Sequence, residues 1–193
     1  KEYNYDIGMS EYKSINSEYF DCDLNGYSLI VEAEGNNIAV DNRVPNTDPL
    51  EKMKVSIGKN PNSGLVKITS NATCLLLAAD NETHSIIAKD IYIESKNNNA
   101  IFLDLGKDST SNRLSLEGGT ITLKSSSAAG NTIQACNGSE LKISGSNVTI
   151  ESEHWSAIRT AKANVEITAK ELTLKTGSTT EYDTRDERKD HAA

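Results

Sequence analysis

Two places in the chain hold residue types capable of chemistry. In the run DLGKDST, Asp104, Lys107 and Asp108 set two carboxylates beside an ammonium group. Clustered carboxylates hold calcium, and a lysine or arginine can then abstract a proton next to a sugar carboxylate. Arg159 falls on the same outward side one to two repeats further on. Asp104 and Asp108 are thus the candidate metal ligands, and calcium is the one cofactor such a site would take. A solvated loop with ordinary charges accounts for the same residues more simply, so no catalytic residue is assigned. The second place is the cluster Glu153, His154, Trp155 and Arg159, which contains the only tryptophan. An exposed tryptophan offers a flat apolar face to a sugar ring or a partner surface. Phe102 occupies the outward position equivalent to Arg159 in an earlier repeat. Trp155, His154, Arg159 and Phe102 are therefore the candidate ligand-binding residues. The competing role for Trp155 is local packing, folded back over the edge of a coil.

Other reactive side chains point to less. The three histidines, His84, His154 and His191, are too scattered for a zinc site. His84 stands where other repeats carry Leu114, Leu141 and Val165, as the first residues of a strand. Three widely spaced cysteines, Cys22, Cys74 and Cys136, argue against a disulfide framework and fit buried free thiols, one bridge being the alternative. The sequons at Asn71, Asn81, Asn137 and Asn147 are what an Asn- and Thr-rich composition produces. A net charge of −8 disfavours nucleic acid as a partner, since phosphate binding needs a basic face. No apolar run approaches the ~20 residues that span a bilayer. A chain starting at Lys1 without a signal peptide reads as a processed or trimmed fragment, compatible with export.

What would position these residues is a repeat. A strand of the form apolar-x-apolar-x-(Ser/Thr) recurs as VKITS (66–70), IYIES (91–95), ITLKS (121–125), VTIES (148–152) and LTLKT (172–176), at intervals of 25, 30, 27 and 24 positions. An earlier copy, LIVEA (29–33), is separated from these by a loop at 41–51 that contains Asp41, Asn42, Arg43, Asp48 and Glu51. That loop is either a functional interruption or a tolerated insertion. Two shorter strands follow in each copy, such as AIFLDL and LSLEG, and a small residue (Ala88, Gly118, Gly145, Ala169) precedes the next strand by three positions. Alternation with period two gives each strand one buried and one wet face. Ile68, Ile93, Leu123, Ile150 and Leu174 should stack inside, as should Ile86, Leu116, Ile143 and Ile167. The outward series Glu94, Lys124, Glu151, Lys175 alternates in sign, as parallel in-register neighbours prefer.

The expected fold is all-β: a right-handed single-stranded parallel β-helix, or β-solenoid, of about six coils with three short strands per coil. Linkers of three to nine residues leave no room for the helical crossovers of a doubly wound α/β fold. Residues 1–24, rich in tyrosine, read as an N-terminal cap, 25–176 as the solenoid, and 177–193 as a charged tail or linker.

The stretch from ITLKSSSAAGNTIQAC through NVEITAKELTLKT resembles tandem β-helix repeats of large secreted or surface-anchored proteins of Gram-positive bacteria, especially gut Firmicutes. These repeats are described as pectate-lyase-like or carbohydrate-binding-domain-like. The resemblance covers about residues 25–176, with uneven loops and alanine at two corners as departures. It implies extracellular or cell-surface display and glycan contact, and it supplies no binding residues of its own. The expected function is a non-catalytic binding or adhesion domain that meets a polysaccharide or a host or cell-surface protein. A structural stalk and a calcium-dependent polysaccharide lyase are the alternatives.

Overall fold

In the computed structural model the described residues are 10–12, 15–16, 19–42, 54–77, 83–103 and 112–177. Their regular elements are strands: β1 (Ser10–Tyr12), β2 (Ile15–Asn16), β3 (Tyr19–Cys22), β4 (Ser28–Ala33), β5 (Val40–Asp41), β6 (Lys54–Ile57), β7 (Leu65–Ser70) and β8 (Leu75–Leu77). They continue with β9 (Thr83–Ile87), β10 (Asp90–Ser95), β11 (Ile101–Leu103), β12 (Arg113–Ser125), β13 (Ile133–Cys136), β14 (Glu140–Ser152), β15 (Ile158–Ala161) and β16 (Asn164–Lys175).

Each of these strands pairs in parallel with its counterpart one turn away, so the chain is a parallel β-solenoid. Between Leu65 and Lys175 it completes four turns, along the ladder β7, β10, β12, β14, β16. The expected columns are in register: Ile68, Ile93, Leu123, Ile150 and Leu174 are successive partners, as are Ile86, Leu116, Ile143 and Ile167. All but the members on the final rung are buried, which follows from the alternation, since stacked turns cover one another's inward side chains. Within the expected cap, β1, β2 and β3 add a rung of the same kind, parallel to β4, β5 and β6.

Three strands per coil resolve into two hydrogen-bonded sheets, of ten and six strands. In the later turns the third strand of one coil and the first of the next are a single strand of 12 or 13 residues, as in β12, β14 and β16. The small corner residues explain this continuity. A Cβ on Gly118 would run into the Ala88 carbonyl oxygen one turn below, and on Gly145 it would lie 3.2 Å from that of Gly118. With no side chain at Gly118 and Gly145, the backbones approach closely and β12 and β14 bend without breaking, and β16 follows the same path with Ala169 laid over Gly145. The inward phase shifts by one residue at the bend, from Leu114 and Leu116 to Ile121 and Leu123.

The serines that close the repeated strands are inward and buried. Ser70, Ser95 and Ser125 donate to the carbonyls of Asn37, Ala72 and Asn98 in the turn one rung earlier, at 2.6, 2.7 and 2.8 Å. Each hydroxyl also accepts a backbone N–H from its own turn, from Ala72, Asn98 and Ser127 respectively. A buried turn must satisfy its polar backbone groups internally, and this column of hydroxyls does so.

Candidate functional site

The six-stranded sheet carries the residues singled out for binding. Alternation along β11, β13 and β15 sends Ile101, Ile133 and Ile158 inward and leaves Phe102, Gln134 and Arg159 outward, whereas Leu75, Leu76 and Leu77 of β8 are all buried. Phe102, Gln134 and Arg159 are successive partners in one column. Phe102 and Arg159 are therefore two rungs, or ~10 Å, apart. Arg159 is exposed and Phe102 half-buried.

The turns leading into these strands bring further polar groups to the column. Asn99 and Asn131, each two residues before an inward isoleucine, donate their side-chain amides to Gln134 Oε1, both at 3.4 Å. Both are buried, and Oδ1 of each has no hydrogen-bond partner among the described residues. These three amides were not among the sequence candidates. The signal was present in N-A-I (99–101) and N-T-I (131–133), an asparagine at one fixed position in consecutive repeats.

Trp155 sits in the turn between β14 and β15, at the rim of the same sheet. It is half-buried, and its indole N–H donates to the Ala128 carbonyl at 2.6 Å, in the turn one rung below. Its backbone N–H is held by Ser152 Oγ at 3.0 Å. The indole is thus fixed over the coil edge with part of its surface in water. His154, beside it, has Nε2 4.0 Å from the Glu153 carboxylate. The structure brings Phe102 and Arg159 into one column and seats Trp155 and His154 at its border. Asp104, Lys107 and Asp108 lie outside the described residues, as does the loop at 41–51 beyond Asn42. Among the described residues no group of three or more His, Cys, Asp or Glu could hold a metal ion.

Other titratable groups are built into the coil. His84 is fully buried, and its Nδ1 accepts the Val55 N–H at 3.0 Å while Nε2 has no partner among the described residues. Burial, and then the nearby Lys54 ammonium, push its pKa down to about 4. Cys22, Cys74 and Cys136 are free. Burial raises the Cys22 and Cys74 thiols, with Asp23 and Glu94 respectively adding to the effect, so both are poor nucleophiles. An open groove lies at the opposite end, lined in part by Asp23, Asn25, Lys59 and Asn60.

On the ten-stranded sheet several outward charges are paired along their columns. Glu151 lies between Lys124 at 3.2 Å and Lys175 at 2.5 Å, and Glu32 meets Lys67 at 2.7 Å. Hydrogen bonding to Lys175 and Lys124 holds the Glu151 carboxyl below the usual carboxylate range, against the opposing effect of burial. Arg113–Glu140 and Lys142–Glu166 pair at 3.0 and 3.6 Å.

Comparison with protein-family models, with curated proteins and with solved structures gave no match.

Proposed function

We propose that the chain is a non-catalytic carbohydrate-binding or adhesive domain of an extracellular or cell-surface protein, built as a right-handed coil of about six turns. The observation that carries this reading is the outward column Phe102, Gln134, Arg159, with the amides of Asn99 and Asn131 turned onto Gln134 and the Trp155 indole fixed at its rim. Aromatic faces cover the apolar faces of sugar rings, while amide and guanidinium groups meet hydroxyls with fixed geometry. Rigid side chains lose little entropy on contact, and the hydrogen bonds that hold Trp155 and Gln134 provide that rigidity. The handedness is supported by the strong right-handed preference of parallel crossover connections. The six strands of the smaller sheet support the coil number. Surface display is supported by the repeat's resemblance to secreted β-helix proteins.

The test is a glycan-array screen with calcium present, comparing wild type with Arg159→Ala and Trp155→Ala. Because Arg159 is exposed, its removal leaves the fold intact. Binding by wild type that falls at least about tenfold in Arg159→Ala is expected, a loss on the scale of one hydrogen-bonded charge. No binding by wild type, or binding by both variants as strong as that of wild type, would overturn the proposal. The stalk reading is favoured by the charge pairs along the ten-stranded sheet, which hold adjacent rungs to one another. The lyase reading rests on Asp104 and Asp108, and absence of turnover on acidic polysaccharides with and without calcium removes it.

A further inference from the structure

Among the described residues the last rung of the solenoid is an open edge. β16 pairs only with β14, and none of the described residues covers its other side. Its inward residues Val165, Ile167, Ala169 and Leu174 are only partly buried and Leu172 is 48% exposed, whereas Leu141, Ile143, Val148 and Ile150 one rung below are at most 1% exposed. The strand contains no proline and no inward charge, the usual devices that keep such an edge from pairing.

The order of side chains along this edge identifies its complement. About the corner bond between Lys170 and Glu171, the sequence EITAK–ELTLK is self-complementary when read in opposite directions. Antiparallel pairing with a second copy sets Lys170 against Glu171, Ala169 against Leu172, Thr168 against Thr173, Ile167 against Leu174 and Glu166 against Lys175. The phase shift at the corner keeps inward residues opposite inward ones on both arms. A two-fold axis in the plane of the rung, through the corner, exchanges the arms and stacks one bent strand on the other. The charge columns then continue across the interface. Lys175, already bonded to Glu151, meets the partner's Glu166, and Glu166, already paired with Lys142, meets the partner's Lys175.

We propose that this end of the solenoid is the interface of a two-fold dimer, formed by antiparallel pairing of β16 with the same strand of a second copy. Head-to-tail stacking is the weaker arrangement. Continuing the parallel register, it would place only the short β1, β2 and β3 over the last rung and set Asp21 opposite Glu166, two like charges. It would also propagate into an open fibre, whereas the two-fold contact closes at two.

Sedimentation equilibrium tests this, with Glu166→Lys, Lys175→Glu and the double exchange. Wild type is expected at twice the 20.9 kDa chain mass. Each single variant sets like charges opposite one another twice per dimer and is expected to shift the species to monomer, and the double exchange to restore the dimer. In a Cys136→Ser background, Thr168→Cys mixed with Thr173→Cys should give a disulfide-linked dimer on oxidation, and neither variant alone should. A wild-type monomer at every soluble concentration overturns the proposal, whether residues 178–193 or nothing occupies the edge. So does an open ladder of larger species, or dimerisation that both single exchanges leave unchanged.

Discussion

Acidification to pH 5 should remove about 2 kcal/mol of stability through His84 alone. The folded protein holds this imidazole neutral, its pKa lowered from 6.5 to about 4, because charging it would strand a cation in the core beside the Lys54 ammonium. The unfolded chain takes up the proton near pH 6.5, so between that value and 4 the unfolded state binds more protons and stability falls as pH falls. The contribution is fully present above about pH 6.5 and gone below about 4. At about 1.4 kcal/mol per pH unit the full displacement amounts to roughly 3 kcal/mol. Carboxylates also titrate near the lower end, so the informative comparison is with His84→Leu, which stacks on Leu114. That variant loses the acceptor for the Val55 N–H, a cost of about 1–3 kcal/mol that does not change with pH. Urea unfolding followed by circular dichroism from pH 7.5 to 4.5 should show the wild-type curve falling more steeply than that of the variant. Parallel curves would mean that His84 is charged or solvated in the folded state, and the reasoning from its burial would be wrong.

Two further substitutions test how the turns fit together. Gly118→Ala should cost about 1–3 kcal/mol, because its methyl group meets a backbone oxygen that cannot swing aside, and Gly145→Ala should cost less. Equal thermal shifts for the pair would contradict the close-approach explanation of the unbroken corner. Ser125→Ala leaves the Asn98 carbonyl and the Ser127 N–H without the hydroxyl that joins them, and should cost about 1–3 kcal/mol in denaturant unfolding. A neutral result would show that the serine column is incidental to the turns.

Much of the fold was legible because a solenoid translates sequence period directly into spatial columns. Once the repeat is aligned, Ile93 must lie over Ile68 and Lys124 beside Glu94, since register follows from the inward positions and each strand's partner is its own counterpart one repeat away. The shared column of Phe102 and Arg159 was legible for the same reason. The amides of Asn99 and Asn131 were passed over because asparagine is common in this chain, and a repeated asparagine in a turn usually serves the turn itself.

The sequence by itself determined the parallel solenoid, its columns and the sign order of its charges, all of which depend only on which residues repeat and at what interval. Tertiary structure decided how each turn folds against the one below. It ties the Trp155 indole to Ala128, makes one ladder of two strands at Gly118 and Gly145, and closes His84 away from water. Those outcomes depend on distances between backbones of adjacent rungs, and a period in the sequence fixes which rungs are neighbours without fixing how closely their turns approach.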